Sequence, residues 1–186
     1  MPKDYTDIIK ACLKGSSAAQ KQLYDNFSGV LYAISLRYSK KEEEAQDILQ
    51  DSFLKIFNKL HTYKFTGSFE GWMKRIFINT SIEHYRKTNN RKFFVEIDQA
   101  NEVVFDSTTI DQLATQDLLK VVQKLPDGYR TVFNLYAIEG YNHKEIGKLL
   151  GISEGTSKSQ LNRARKLLQK KLIELNDLEQ GKILKG

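Results

Sequence analysis

Apolar side chains recur at intervals of three and four along most of this chain, the spacing that lines one face of an α-helix. Only two prolines occur, Pro2 and Pro126, so little interrupts that pattern. The periodicity predicts an all-α protein. Helices are expected over Tyr5–Lys14, Ser17–Tyr38, Lys41–Leu60 and Phe69–Lys87, with a loop at His61–Ser68, and then over Asp111–Lys124, Asp127–Glu139, Asn142–Leu150 and Glu154–Leu175. Four starts carry Ser, Thr or Asn followed three residues later by Glu or Gln, the pairing that closes a capping box: Ser17 with Gln20, Ser39 with Glu42, Thr109 with Gln112 and Asn142 with Glu145. Gly140 and Gly151 follow helix ends, where a left-handed residue is wanted.

Between Thr88 and Thr108 the periodicity is lost, and Asn89, Asn90, Asp106 and Ser107 mark turns. The expected organisation is therefore two small helical domains, 1–88 and 111–176, joined by a flexible acidic linker at 89–110 and followed by a frayed tail at 177–186. Charge follows the same division. Residues 1–85 carry 12 basic and 10 acidic groups, 86–94 carry 4 and 0, 95–117 carry 0 and 6, and 118–186 carry 13 and 7. The net charge of +6 and pI near 9.2 favour a polyanionic partner.

Cys12 is the only cysteine, which removes an internal disulfide and any cysteine-based zinc site. His61, His84 and His143 do not cluster in sequence, and the carboxylates near basic segments lack metal-ligand spacing. No metal, cofactor or catalytic residue is expected. The first fifteen residues mix Lys3, Asp4, Asp7 and Lys10 with isolated apolar positions, unlike a signal peptide, and no segment approaches the roughly 18 apolar residues of a membrane span. The expectation is a cytoplasmic protein with no direct membrane insertion.

Leu149-Leu150-Gly151-Ile152-Ser153 reads as a helix end, a glycine turn, an apolar plug and a serine able to cap the next helix, the ingredients of a helix-turn-helix. In the second helix Leu161, Ala164, Leu168, Leu172 and Leu175 form one stripe. Lys158, Ser159, Asn162, Arg163 and Lys166 are left on the other face, where Lys, Arg and Asn can bond base edges or phosphates in a major groove. Arg165, Lys170 and Lys171 lie further along and suit phosphate contacts. A solvated basic face on an ordinary hairpin would also show these residues, but not the turn.

Aromatics and cations alternate between His61 and Phe77. Aromatic faces stack on unpaired bases at about 1 to 3 kcal/mol per base, while nearby cations hold the backbone. Tyr63, Lys64 and Phe65 in the loop, and Arg75, Asn79 and Arg86 on one face of the following helix together with Ile82, are the candidate single-strand contacts; Lys87, Arg91 and Lys92 extend the basic surface. Phe69, Trp72, Ile76 and Phe77 are expected in the core rather than as stacking platforms. The preceding helix shows Asp47, Gln50, Asp51, Leu54 and Lys55 on its outer side, a pattern that fits either protein docking or plain solvation.

Taken together, Ala45–Phe53, Gly71–Thr80, Leu125–Arg130 and Gly155–Arg165 resemble the extracytoplasmic-function sigma factors, the smallest members of the primary-type sigma family of bacterial RNA polymerase. The resemblance covers nearly the whole chain. It implies a transcription initiation factor that binds core RNA polymerase, directs it to promoters and helps melt them. Asp47, Gln50, Asp51 and Leu54 would then dock on the clamp helices of the polymerase's largest subunit. The Tyr63–Ser68 loop and Asn79, with Lys64, Arg75 and Arg86, would capture the melted non-template strand of the minus-ten element. Lys158, Ser159, Asn162, Arg163 and Lys166 would read the minus-thirty-five duplex, the acidic linker would thread toward the polymerase channels, and an anti-sigma factor would be a further partner. Two departures stand out. Ser157 occupies a position commonly apolar in the family, so packing at the start of the recognition helix is expected to differ, and Gln160 replaces a common cation, so no phosphate contact is carried over there. An autonomous helix-turn-helix regulator is the alternative, and it leaves the aromatic loop and the Asp47–Asp51 face without a role.

Overall fold

The computed structural model describes residues 4–89 and 115–183. Every regular element among them is helical, as the periodicity predicts: α1 (Thr6–Leu13), α2 (Ser17–Tyr38), α3 (Glu42–Lys59) with a 3₁₀ turn at Leu60–Thr62, α4 (Phe69–Asn89), α5 (Thr115–Gln123), α6 (Asp127–Phe133), α7 (His143–Leu150) and α8 (Glu154–Ile183). The chain divides into two units between Lys87 and Thr88. Apart from Asn89, which ends α4, the expected linker at 89–110 lies outside the described residues, as do Arg91, Lys92 and the Thr109–Gln112 pair.

In the first unit α2 packs along α3, and α1 lies against α2. The buried stripe Ala45, Ile48, Leu49, Phe53 and Ile56 of α3 meets Leu23, Phe27, Leu31 and Ile34 of α2, while α4 supplies Phe69, Met73, Phe77, Ile78 and Ile82. Small hydroxyls fill the tight places. Ser35, Thr80 and Ser81 are buried and donate to carbonyls four residues back, so these three hydroxyls are not stranded. The pairing of Ser39 with Glu42 does not form. Ser39 is buried and donates to the Ser35 carbonyl, closing α2, while Glu44 takes the Lys40 N–H at the start of α3. At α2 it is Ser16, one residue before Ser17, whose hydroxyl accepts the Ala19 N–H.

In the second unit Val121, Val122, Leu125, Val132, Phe133, Leu135, Ile146 and Leu150 close over Leu161, Ala164 and Leu168 of α8. The expected helix over Asp127–Glu139 is interrupted. After Phe133 it widens into a π turn, Asn134–Ile138, in which the Glu139 N–H donates to the Asn134 carbonyl. Arg130, only 2% exposed, donates to the carbonyls of Gln123 and Leu125 and to Asp127, tying the end of α5 to α6. The tail expected to fray from 177 continues as helix to Ile183: Leu175–Gln180 holds no Pro or Gly, so nothing interrupts the ladder before Gly181.

Candidate nucleic-acid interface

The helix-turn-helix is built by local chemistry. The Asn142 side chain accepts the Glu145 N–H while the Glu145 carboxylate accepts the Asn142 N–H, a complete capping box that starts α7. Gly151 at φ +70° ends α7, and the N–H groups of Gly151 and Ile152 both donate to the Gly147 carbonyl. Gly147 itself was not singled out by motif. A Cβ there would lie 2.8 Å from the Ile152 carbonyl oxygen, so the turn folds back onto the glycine's bare face. Ser153 then caps α8 by accepting the Thr156 N–H.

On α8 the residues expected to read duplex DNA separate into two groups. Lys158 and Lys166 are exposed, with Ser159 and Asn162 half-buried beside them. Lys158 is held at 2.8 Å by Glu154, one turn back, and the lysine keeps that carboxyl below its ordinary range. Arg163 is half-buried and engaged within the unit: its guanidinium donates to the Tyr129 hydroxyl on α6 at 3.3 Å. Arg165 lies over the Tyr136 ring, 5.7 Å from its centroid. Ser157 is fully buried, and its hydroxyl is 2.9 Å from Nδ1 of His143. Burial, then nearby Lys158, push the His143 imidazole below its ordinary pKa.

In the first unit the loop after the 3₁₀ turn holds an aromatic cluster. Tyr63 contacts Phe65, Phe69 and Trp72 at centroid distances of 5.2, 5.1 and 5.6 Å, and its hydroxyl donates to the Gly67 carbonyl. Tyr63 is thus the loop's scaffold. Phe65 is the exposed ring, 45% accessible, and it sits at φ +56°, a conformation costly for a side chain with a Cβ. Trp72 is half-buried, stacked on the buried Phe69. Beside the loop, Asp4, Tyr5, Phe65, Gly67 and Glu70 help line a cavity of about 540 Å³ between the start of α1 and the loop. Lys64, Arg75 and Asn79 are exposed and Arg86 half-buried, whereas Ile82, expected on their face, is buried, since that face meets the core at its edge.

Asp47 and Gln50 are exposed on α3, and Leu54 is 56% exposed. Gln50 and Leu54, with Tyr24, Tyr32, Phe53 and Phe57, border a groove of about 600 Å³ between α2 and α3. Asp51 is engaged within the unit. Its carboxylate lies 2.8 Å from Nε2 of His84 on α4, and the next turn of α3 repeats the tie through Lys55 and Glu83 at 2.5 Å. Among the described residues no group of His, Cys, Asp and Glu is arranged to hold a metal, and no helix is long and apolar enough to cross a membrane.

Residues 23–91 match the model of Sigma-70 region 2 and residues 115–168 that of Sigma-70 region 4, together more than half of the chain. The chain belongs to the sigma-70 family. Its relatives place it in the extracytoplasmic-function branch. It is 29% identical over 180 residues to the ECF RNA polymerase sigma factor SigW of Bacillus subtilis, covering 90% of this chain and 96% of that one. It is 23% identical over 181 residues to the RNA polymerase sigma-H factor of Pseudomonas aeruginosa, covering 89% and 92%. Among solved structures it is similar to the sigma factor RpoE of Bartonella quintana, crystallised with the anti-sigma factor NepR, with TM-score 0.48, 24% identity and 83% and 96% coverage. Region 2 of this sigma factor therefore carries the aromatic loop and α3, and region 4 the helix-turn-helix.

Proposed function

We propose that this sigma factor seats core RNA polymerase on promoters by dividing recognition between its two regions. The observation that carries the reading is their complementary equipment. Region 4 presents Lys158, Ser159, Asn162 and Lys166 on a capped recognition helix, suited to a major groove. Region 2 presents an exposed, backbone-strained Phe65 beside Lys64, Arg75 and Asn79, suited to unstacked bases. An autonomous regulator would have no use for the second set.

Docking on the polymerase is assigned to the exposed Asp47, Gln50 and Leu54, with Asp51 held in place by His84. Phe65 stacks on a base of the melted non-template strand, Asn79 bonds a base edge, and Lys64, Arg75 and Arg86 hold phosphates. Tyr63 braces the loop. Arg163 braces α6 in the free protein and contributes to the minus-thirty-five contact through the same guanidinium. The factor performs no catalysis of its own, works in the cytoplasm where polymerase is, and is held in reserve by an anti-sigma factor. Mixing the full chain with core polymerase and native genomic fragments tests the reading. Promoter-specific run-off transcripts are expected, and their absence while core polymerase binds would refute it.

A further inference from the structure

The departure at Ser157 has a built counterpart. A hydroxyl fully buried at the start of the recognition helix needs a partner, and Nδ1 of His143, the first residue of α7, stands 2.9 Å away. One hydrogen bond joins them in whichever direction the tautomer sets. The imidazole is itself fixed, stacked on Tyr136 at a centroid distance of 4.6 Å and an interplanar angle of 20°. Tyr136 belongs to the π turn, and Arg165 of α8 lies over the same ring. The four residues thus link the π turn, the first helix of the motif and two points about two turns apart on the recognition helix. None of Tyr136, His143 and Ser157 was among the residues expected to touch DNA.

We propose that His143 is a positioning residue for duplex reading, setting the rotation of the recognition helix through its bond to Ser157. The proposal rests on the reading of α8 as the minus-thirty-five reader. Lys158 and Asn162 follow Ser157 by one and five residues, so any rotation of the helix about its axis carries them with it. A 20° rotation moves side chains at the helix surface by about 2 Å, more than a hydrogen bond to a base edge tolerates. A matched pair in that place, polar or apolar, holds the helix against such a rotation, whereas a stranded hydroxyl beside an apolar side chain drives the two apart in search of a partner. The groups facing the imidazole are Tyr136 from the π turn and Lys158, Glu154 and Arg165 from α8. Burial, Lys158 and Arg165 outweigh the nearby Glu154 carboxylate and hold the imidazole's pKa below its ordinary value, which favours the neutral ring beside cations that are needed for DNA.

The test uses the full chain bound to core polymerase, selecting from a duplex library randomised over the minus-thirty-five region and, separately, over the minus-ten region. His143→Leu is expected to lower the ratio of specific to scrambled minus-thirty-five binding about tenfold, because Ser157 is left with a buried unbonded hydroxyl. The minus-ten motif and the binding to scrambled duplex should not change. Ser157→Val alone should behave similarly. The double variant His143→Leu/Ser157→Val restores an apolar pair and should recover discrimination to within about threefold, since replacing both partners together removes the stranded group. Recovery also separates positioning from direct contact, because leucine and valine could not replace a lost histidine bond to DNA. Circular dichroism fixes the temperature at which each variant is fully folded. Undiminished discrimination by folded His143→Leu would overturn the proposal, as would a loss that the double variant fails to recover. If the wild-type holoenzyme itself selects no upstream motif, the function proposed above falls and this inference with it.

Discussion

Replacing Gly147 by alanine sets two effects of known sign against each other. In an exposed helix the change is favourable by about 0.8 to 1 kcal/mol, because glycine gives up more backbone freedom on folding. Here the added Cβ would meet the Ile152 carbonyl oxygen at 2.8 Å, where ordinary contact starts near 3.4 Å, and the obstacle is backbone that cannot swing aside. The turn must open by about half an ångström. Overpacking of this kind costs about 1 to 3 kcal/mol. Opening also stretches the bonds from the Gly151 and Ile152 N–H groups to the Gly147 carbonyl, now 2.9 and 3.0 Å, at about 0.5 to 1.5 kcal/mol if one is lost. The net expectation is about 1 to 2 kcal/mol of destabilisation confined to region 4, or a midpoint lower by about 5 to 10 °C for a unit of this size. Amide hydrogen exchange across α7 and α8 measures it, and Trp72, the single tryptophan, reports by fluorescence that region 2 is untouched. A Gly147→Ala protein whose region 4 exchanges as slowly as the parent's, or more slowly, would show that the close approach does not control this turn.

Three further outcomes are expected. Phe65→Gly relieves the left-handed strain and should raise region 2 stability by about 1 kcal/mol, yet it removes the exposed ring and should cut open-complex formation about tenfold; permanganate footprinting and fluorescence melts read the two effects, and equal melting of promoter DNA would rule the ring out as a base platform. Arg130→Lys keeps the charge but cannot reach both carbonyls and Asp127, so region 4 should lose about 2 kcal/mol in urea titrations, and a loss below about 0.5 kcal/mol would mean the three bonds are dispensable. His143 has a folded-state pKa below its unfolded value, so the unfolded chain takes up the proton first; the stability it contributes is complete above the ordinary histidine range and is lost as pH falls from about 6.5 through the folded value. Region 4 exchange followed against pH should show that slope, and His143→Leu should flatten it.

The architecture was legible because it is written in local periodicity. Spacings of three and four give α2, α3, α4 and α8, and Asn142 with Glu145, or Gly151 with Ser153, mark ends through residues only a few positions apart. What escaped was the chemistry between distant residues. His143 and Ser157 lie 14 positions apart, Lys55 and Glu83 28, Asp51 and His84 33, and no single-helix pattern announces such pairs. Ser39 misled for a related reason. A serine before Glu42 looks like a cap, but the burial of its side chain against α2 gave its hydroxyl a better use. Arg163 shows a related limit, since the sequence does not announce that a cation on the recognition helix also bonds Tyr129 of α6, 34 residues before it. Gly147 carried a signal that could have been used: glycine inside an otherwise periodic helix, four residues before the terminating glycine, marks a close backbone approach.

The ties from Asp51 to His84 and from Lys55 to Glu83 sit one turn apart on α3 and on adjacent residues of α4. Two anchors, unlike one, fix both sliding and twist, so the pair behaves as a carpenter's square with the Asp47–Leu54 edge on one arm and the Arg75–Asn79 edge on the other. On the docking assignment, seating the first arm sets where the second can meet a displaced strand. Start-site choice then becomes a matter of measured distance as well as of sequence, and loosening the joint at His84 would blur the position of melting before it weakened either contact.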